Sequence, residues 1–491
     1  MIFKGNYIGG HFQKPKGTLQ TRVSEDPGDL DHPLGTIVFS QEDVDRAVAS
    51  AQEGCRVWSK ADFRVRDRSI VRFQKALQKR HKAFAHLITL EMGKPLRDSL
   101  QEVGRMIERV SLARTEAARF SRGELFPDKR GFKARLRYKP RGVVAIIGPF
   151  NFPGHIPNNQ ILSAILLGNS VIFKPSELTP FVGQILAEIW HEAGLPRGVF
   201  NVVHGDGHVG RALAIHEKIH AIIFTGSYAT GQKIRKETVH QIGKLVALEM
   251  GGKNAVIVSR HADLKNAVDQ CLLGSFSISG QRCNATSRIM LEEKIAEPFL
   301  KAFMGAVKEL NVGYGLDEDS FLGPLVSQGA QEKYLSRTAL APNENFEVLQ
   351  KAIPLQKERR GYYVQPSVCL KEVKKGETLE GLYALEEIFG PNAAIYIVKD
   401  LEDAVQLHNA APYGLVAGFF SKKKEEYESI FEQIEVGLLN WNRSTIYSSP
   451  HLPFGGLKQS GNQHPVGAFV PYLCTYPVAL LEDAPSARRK R

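Results

Sequence analysis

Three residues near glycines in this sequence could supply a nucleophile, a base and an oxyanion donor. Cys283 follows Gly280-Gln281-Arg282 at the end of a helical stretch. A thiolate is a strong nucleophile, and the positive charge of Arg282 would favour it. Glu249 ends an apolar run before two glycines, where partial burial would raise its pKa toward that of a general base. Asn151 lies on a turn bounded by Pro and Gly residues, from which its amide could donate to an oxyanion.

Each of these residues also has a structural interpretation. A lone cysteine is more often a small buried apolar side chain than a nucleophile, as we expect for Cys271 on an apolar helix face. A glutamate at a strand end can simply face solvent, and asparagine is a common turn residue. The residue types therefore suggest the chemistry without deciding it.

Two turns after apolar runs carry groups that could bind a dinucleotide. Lys174 and Glu177 close and follow the run SVIFK, where an ammonium and a carboxylate could hydrogen-bond a ribose. The carboxylate would repel a 2′-phosphate, which favours NAD over NADP. The second turn opens a helix, whose N–H groups and dipole attract a pyrophosphate. Its residues are Gly226, Ser227, Tyr228, Ala229, Thr230 and Gly231. Both segments could equally be plain turns between a strand and a helix.

The motif GDGHVG, residues 205–210, has the GxGxxG spacing of a dinucleotide-binding turn. Such a turn also needs an acidic residue at the end of the next strand, but that strand ends in Thr225-Gly226. We therefore expect these glycines to serve the turn and close helix packing. Replacement of Gly207 should then cost stability rather than cofactor affinity.

The alternation of apolar runs and helical segments predicts two α/β domains, each built on a parallel sheet. Residues 40–118 have helical periodicity. Strands are expected to begin near residues 143, 170, 199, 220 and 245, and near 255, 287, 393, 414 and 435. We expect a first domain over 1–125 and 141–249, to which 441–465 returns. A second domain should cover 250–440.

Two further segments have strand character but no partner in these sheets. The segment 131–139 alternates apolar and basic residues, and 469–481 is apolar with two prolines, which is typical of an edge strand. We expect them to form a small oligomerisation flap over 126–140 and 466–491 that docks on another subunit and ends in a basic tail.

Composition and charge indicate which classes of protein this sequence can belong to. The chain of 491 residues has 64 Lys and Arg against 52 Asp and Glu, and a net charge of +12. Because the basic residues are spread out, we expect no nucleic-acid site, and polyanion binding by 488–491 is the alternative. The five cysteines have no metal or disulfide spacing. Neither a secretory signal nor a membrane span is evident, so we expect a cytoplasmic protein without a metal.

Taken in order and spacing, a set of motifs resembles the aldehyde dehydrogenase superfamily over nearly the whole chain. The motifs are GPFNFP, FKPSE, FTGS, LEMGGKN, GQRC, EEIFGP and LPFGGLKQSG. The resemblance implies two Rossmann-type domains, a β flap for a homodimer or homotetramer, and NAD as cofactor. It implies Cys283 as nucleophile, Glu249 as general base and Asn151 as oxyanion donor.

The same resemblance implies a role for each candidate cofactor residue. Lys174 and Glu177 would hold the adenosine ribose, and the turn 226–231 would lie against the pyrophosphate. Glu387 would hold the nicotinamide ribose with Phe389 beside it. The presence of the base favours hydrolysis of the enzyme thioester, because superfamily members that pass the acyl group to coenzyme A lack it.

The stretch 148–180 is most similar to superfamily members that oxidise N-succinylglutamate 5-semialdehyde in arginine breakdown. This implies a dicarboxylate aldehyde as substrate, in agreement with a basic protein. Two segments depart from that pattern, Asn284-Ala285-Thr286 and the glycine-poor loop 340–362, and both concern substrate choice. The alternatives are a dehydrogenase of glutamate or succinate semialdehyde, with NAD or NADP, and an inactive binding protein of the same fold.

Overall fold

Two seven-stranded sheets, each mostly parallel, form the centre of the protein. The computed structural model describes residues 1–127 and 132–483. Its strands are β1 Asn6–Ile8, β2 His11–Gln13, β3 Gln20–Ser24, β4 Gly35–Phe39, β5 Glu124–Pro127, β6 Phe132–Pro140, β7 Val143–Ile147, β8 Ser170–Lys174, β9 Phe200–Val202, β10 Ala221–Gly226, β11 Leu245–Met250, β12 Ala255–Val258, β13 Arg288–Glu292, β14 Glu347–Gln350, β15 Ser367–Glu372, β16 Asn392–Val398, β17 Tyr413–Gly414, β18 Val416–Phe420, β19 Leu438–Trp441, β20 Pro453–Phe454, β21 Leu457–Lys458, β22 Val466–Gly467 and β23 Thr475–Asp483.

Helices precede the first parallel strand and then alternate with strands, as the sequence predicts. They are α1 Asp43–Trp58, α2 Phe63–Lys79, α3 His81–Met92, α4 Leu96–Arg122, α5 His155–Leu166, α6 Pro180–Glu192, α7 Gly207–Ile215, α8 Tyr228–Thr238, α9 Leu264–Phe276, α10 Glu293–Lys308, α11 Gln328–Thr338, α12 Leu382–Leu385, α13 Leu401–Asn409, α14 Lys424–Gln433 and α15 Val470–Cys474, with 3-10 turns at Ser277–Gly280 and Ala341–Glu344. Within the described ranges, no helix is long and apolar enough to cross a membrane.

The first sheet has the strand order β11-β10-β7-β8-β9-β1-β2. Strands β7 to β11 are parallel, and β1 and β2 add an antiparallel edge. All residues of β7 and β8 are buried, because helices cover both faces of a parallel sheet. The chain order reverses between β7 and β10. Ligands of α/β sheets bind at such a point, beyond the carboxyl ends of the strands.

The second sheet has the order β14-β15-β16-β13-β12-β18-β19, in which β14 is antiparallel and the others are parallel. The two sheets confirm the predicted pair of parallel α/β units. The sequence did not predict β14 or β15. The apolar run of β15 is only three residues long and precedes charged residues, so its pattern is too short to indicate a strand.

Four residues connect the sheets, because β11 ends at Met250 and β12 begins at Ala255. The returning segment contacts both halves of the protein. Its strand β21 pairs with β17, whereas Gly461 pairs with Glu249 of β11. The extents of the two domains, including the boundaries at 250 and 440, stay predictions.

The two segments predicted to form a flap pair with each other. Strand β23 runs antiparallel to β6, which also pairs with β5. Residues 470–474 form the short helix α15 rather than an edge strand, since Pro471 lies in the first turn of a helix, where proline is favoured. The role of the flap in assembly stays a prediction, and the tail 484–491 lies outside the described residues.

Candidate active site

The carboxyl group of Glu249 faces the thiol of Cys283. Glu249 is the penultimate residue of β11 and is buried, whereas Cys283 is partly exposed. Burial raises the pKa of Glu249 to about 8, and the nearby carboxyl of Glu387 adds to the shift. Among the described residues, neither Glu249 oxygen has a hydrogen-bond partner of normal geometry. With a pKa close to neutral, the carboxyl group can both release and take up a proton under physiological conditions, as a general base must.

Arg282 favours the Cys283 thiolate, as the sequence predicts, but other groups outweigh it. The pKa of the thiol is raised well above its usual value, first by burial and then by the Glu249 and Glu387 carboxyl groups, whereas Arg282 makes the smallest contribution and in the opposite direction. The guanidinium turns away, because its Nη2 donates to the Ile446 carbonyl at 3.1 Å and its centre lies 5.2 Å from the ring of Phe152. Removal of the thiol proton must therefore depend on Glu249.

The turn before Cys283 has a backbone that L-residues rarely adopt. Ile278 and Ser279 have φ of 55° and 53°, and Gly280 has 66°. The Ser279 hydroxyl holds the turn by donating to the Gly323 carbonyl at 2.7 Å. At Gly280 a Cβ atom would overlap the carbonyl oxygen of Gly390, so only glycine fits. Strain of this kind, about 1–3 kcal/mol for each residue, is found mainly at functional sites.

Asn254, just before β12, holds the far side of the same loop. Its Nδ2 donates to the carbonyl oxygens of Cys283 at 2.8 Å and Ala285 at 2.9 Å, and its Oδ1 accepts from the Val416 amide at 3.1 Å. The nucleophile is thus anchored to the first strand of the second sheet. Sequence reasoning missed Asn254, although it is the last residue of the LEMGGKN motif.

Two N–H donors near the thiol have no acceptor. The Asn151 side chain is oriented because its Oδ1 accepts from the Phe152 amide at 3.1 Å, which leaves Nδ2 without an acceptor in the parts of the chain that the structure describes. The Cys283 amide likewise donates to none of those residues. Because the Phe152 ring lies beside Arg282, the turn of Asn151 packs against the loop of the nucleophile. This arrangement suits an oxyanion hole.

A buried ion pair, missed by sequence reasoning, holds the turn of Asn151. The Lys94 ammonium donates to the Asn151 carbonyl at 2.9 Å and pairs with Glu102, and both side chains are fully buried. Glu102 also accepts from the amides of Gly154 and His155, at 2.9 and 2.8 Å. Buried lysines are rare, and the sequence motif EMGKP around Lys94 was the one available signal.

Lys174 and Glu177 lie at the carboxyl end of β8, next to the point where the sheet order reverses. The buried Lys174 ammonium is 3.3 Å from a Glu177 carboxylate oxygen and donates to the Pro175 carbonyl at 3.0 Å. Burial lowers the pKa of Lys174, and the carboxylate of Glu177 opposes this. The Glu177 side chain is about one-third exposed, so it is accessible to a ligand.

The turn 226–231 lies at the carboxyl end of β10, and Ser227 caps α8 by accepting from the Thr230 amide. Ser227, Ala229 and Thr230 are exposed. The amides of Tyr228 and Ala229 have no acceptor within 1–127 and 132–483. A helix start with a neutral cap and free amides fits the pyrophosphate of a dinucleotide.

The GDGHVG motif differs from that turn in its cap. The carboxylate of Asp206 accepts from the His208 amide at the start of α7, so a phosphate there would meet a negative charge. The prediction that Gly207 serves tight packing is wrong, because a Cβ there would meet open space. Gly205 is the constrained residue: its φ is 151°, and a Cβ would overlap the Val209 side chain.

Glu387 and Phe389 reach the site from the second half of the chain. The Glu387 carboxylate accepts from the Gly252 amide at 3.0 Å, and burial raises its pKa to about 7. Phe389 has a φ of 58° and packs edge-on against Phe150, with ring centroids 5.7 Å apart. The carboxyl ends of the parallel strands in the first sheet therefore carry Asn151, Lys174, Glu177, the turn 226–231 and Glu249. There Cys283 faces Glu249, and Glu387 contacts Gly252.

Residues 20–473 match the profile of the aldehyde dehydrogenase family. The chain belongs to that family. A search of characterised proteins finds N-succinylglutamate 5-semialdehyde dehydrogenases. The protein of Legionella pneumophila is 33% identical over 482 residues, covering 98% of this chain and 95% of the relative. That of Burkholderia ambifaria is 36% identical over 452 residues, covering 90% of each chain. These matches confirm the resemblance that the motifs predicted.

Solved structures of the family confirm the predicted fold. Betaine aldehyde dehydrogenase of Staphylococcus aureus, in complex with NAD+, has a TM-score of 0.92 and 26% identity and covers 100% of this chain and 97% of that one. A 1-pyrroline-5-carboxylate dehydrogenase from Thermus with bound NAD has a TM-score of 0.90 and 30% identity, with coverage of 98% and 92%. The roles of the individual site residues stay predictions.

Proposed function

We propose that this protein is an NAD-dependent aldehyde dehydrogenase that oxidises N-succinylglutamate 5-semialdehyde to N-succinylglutamate in the succinyltransferase route of arginine breakdown. The observation that carries the chemistry is the Glu249 carboxyl group against the Cys283 thiol, beside two free N–H donors. Aldehyde oxidation with NAD agrees with the family and with the sequence prediction. The choice of substrate is supported by the relatives that are named N-succinylglutamate 5-semialdehyde dehydrogenase.

The first half of the reaction makes an acyl-enzyme. As the thiol proton passes to Glu249, the Cys283 sulfur adds to the aldehyde carbon, and the carbonyl oxygen becomes an oxyanion. The Asn151 Nδ2 and the Cys283 amide would hold that oxyanion. When bound, NAD accepts the hydride that leaves the adduct, so that a thioester remains on Cys283.

The second half releases the acid. After the first proton has passed to solvent, Glu249 takes a proton from a water molecule, whose oxygen attacks the thioester carbon. The Cys283 sulfur then leaves as the acid forms and regains its proton from Glu249. NAD would be held by Lys174 and Glu177 at the ribose, by the start of α8 at the pyrophosphate, and by Glu387 with Phe389 at the nicotinamide end. A buried carboxyl group with a pKa of about 8 suits a base that must act twice.

The second candidate is the dehydrogenation of a shorter semialdehyde, because a 1-pyrroline-5-carboxylate dehydrogenase is among the matched structures. Values of kcat/KM with NAD for N-succinylglutamate, glutamate and succinate semialdehydes test the choice. We expect the succinylated aldehyde to be preferred by at least about tenfold, which is about 1.4 kcal/mol of transition-state binding. If it is no better than the short aldehydes, the substrate assignment fails.

An inactive protein of the same fold is the third possibility. A Cys283→Ser variant tests it, since a hydroxyl is a far weaker nucleophile than a thiolate. We expect the wild type to reduce NAD with aldehyde and the variant to be at least about a thousandfold slower. Equal rates would overturn the assignment of the nucleophile. Assembly as a homodimer or homotetramer and location in the cytoplasm remain part of this proposal.

A further inference from the structure

One face of helix α4 points toward the start of α5 beside the thiol. Asp98, Glu102, Arg105 and Arg109 are spaced by four, three and four residues, so they lie on one face of the helix. Glu102 accepts from two amides at the start of α5. Arg109 donates to Asn159 of α5 and, at 3.0 Å, to the Pro450 carbonyl. Arg105, between them on this face, therefore lies beside the same elements.

Arg105 is exposed although its neighbours Glu102 and Arg109 on this face are buried. The face therefore opens to solvent at Arg105. On either side of this opening, Glu102 contacts the turn of Asn151 through Lys94, and Arg109 contacts the segment 446–450 at Pro450. Arg282 contacts the same segment 446–450, because its Nη2 donates to the Ile446 carbonyl.

Two of the cations around this opening have no carboxylate partner. Lys94 pairs with Glu102 and Arg109 pairs with Glu116. For Arg105 and Arg282, by contrast, the described residues supply no ion pair. The Arg282 Nε contacts only the Asn284 side-chain oxygen, at 3.2 Å.

Two other titratable groups face this opening. Burial raises the pKa of the Asp98 carboxyl group, and the charges of Arg282 and Arg105 are among those that oppose this. The ring of His155 stays neutral, because burial, and after it the charge of Arg105, lowers its pKa to about 3. Burial and the charge of Arg105 together lower the pKa of Arg282 to about 10. The two guanidinium groups are thus close enough to repel each other, and an anionic ligand would relieve that repulsion.

We propose that Arg105 and Arg282 bind the carboxylates of the substrate and so select dicarboxylate semialdehydes over uncharged aldehydes. This inference rests on the proposed function and names the side chains that give the enzyme its specificity for the substrate. A guanidinium binds a carboxylate through two parallel N–H donors. Arg282 immediately precedes the nucleophile, and the exposed Arg105 lies on the solvent side, so the acid groups would be held along the path to the thiol.

The test compares Arg105→Gln with Arg119→Gln. Arg119 is an exposed residue of the same helix, fourteen positions further (119 − 105), or about 21 Å along the axis. Values of kcat/KM are measured for N-succinylglutamate 5-semialdehyde and for hexanal. In Arg105→Gln we expect the ratio of the two to fall by at least about tenfold through KM for the dicarboxylate, because hydrogen bonds to charged groups are lost. In Arg119→Gln the ratio should stay within about twofold of the wild-type value.

Two further variants refine the result. Arg105→Lys keeps the charge without the paired donors, so its ratio should lie between those of the wild type and Arg105→Gln. Arg282→Lys should also lower the ratio. If the wild type does not prefer the dicarboxylate over hexanal, the proposed substrate is wrong. If the wild type prefers it but Arg105→Gln and Arg119→Gln have equal ratios, the present inference is overturned while the proposed function stands.

Discussion

The Glu249 carboxyl group and the Cys283 thiol face each other at the junction of the two sheets, where Glu249 raises the pKa of the thiol and Cys283 lowers that of Glu249. Burial gives Glu249 a pKa of about 8, and the thiol pKa lies well above its usual value. Before substrate binds, both groups are therefore largely protonated at neutral pH. Activity should require that one of them lose its proton.

Glu249→Gln should remove the contribution by which the buried carboxyl group lowers the free energy of unfolding as the pH rises. In the wild type, the unfolded carboxyl group ionises near pH 4.5 and the folded one near pH 8. The folded state therefore binds more protons in this window, and stability falls as the pH rises. The free energy of unfolding of the wild type relative to the variant should fall by up to about 1.4 kcal/mol per pH unit between those values. Denaturant titrations from pH 5 to 9 measure this, and a constant difference contradicts it.

Lys94→Met should slow catalysis by releasing the turn of Asn151. A displacement of about 1 Å can cost about a hundredfold in rate, so we expect kcat to fall by more than about tenfold, with the dissociation constant of NAD unchanged. Breaking a buried ion pair also costs about 3–5 kcal/mol of stability. The double variant Lys94→Met, Glu102→Gln separates the two effects. It should recover stability, as measured by denaturant unfolding, but not kcat. Recovery of both would mean that Lys94 acts on stability alone.

Glu177→Gln should weaken the binding of NAD and reduce the preference for NAD over NADP. The variant keeps the Lys174 ammonium but loses the carboxylate that would accept from the ribose hydroxyls and repel a 2′-phosphate. We expect the dissociation constant of NAD to rise by about tenfold, which corresponds to one charged hydrogen bond, while the preference over NADP shrinks. Calorimetric titration with both cofactors measures this. Glu53→Gln, on an exposed residue of α1, is the control, and equal effects in the two variants would contradict the assignment.

The two glycines of GDGHVG should respond differently to alanine. Gly205→Ala places a Cβ against Val209 at a backbone angle that favours glycine, so stability should fall by at least about 1 kcal/mol. Gly207→Ala meets open space at the start of α7 and should be neutral or stabilising by up to about 1 kcal/mol. Denaturant unfolding compares them. NAD affinity should be unchanged in Gly207→Ala, and its loss would move the pyrophosphate to this motif.

The flap should hold subunits together through its exposed apolar residues. Leu125 of β5 is 65% exposed and Leu481 of β23 is 75% exposed, which is typical of an interaction surface. The double variant Leu125→Asp, Leu481→Asp should lower the assembly mass measured by light scattering. Val57→Asp, at an equally exposed residue of α1, should leave the mass unchanged. If the flap variant keeps the wild-type mass, the subunits meet elsewhere.

Residue type and spacing predicted which side chains could carry the chemistry of this site. They did not predict the contacts that hold those side chains in place. Cys283, Glu249 and Asn151 were predicted because their side chains fit a reaction and stand in recognisable motifs. Lys94 and Asn254 were missed, since a side chain that holds a neighbouring loop leaves no periodic pattern. Gly205 and Gly207 show the same limit. The motif is readable, but which glycine is constrained depends on φ and on Val209, and neither is visible in the spacing.

The four residues 251–254 connect the two sheets, and their contacts position several groups of the site. Glu249 stands just before this linker, and Asn254 at its end holds the Cys283 loop by a hydrogen bond, so one short stretch of chain positions the proposed base relative to the proposed nucleophile. Glu387 is held by the same linker, whose Gly252 amide donates to its carboxylate. A shift of the linker would therefore displace the proposed base, the loop of the proposed nucleophile and Glu387 together.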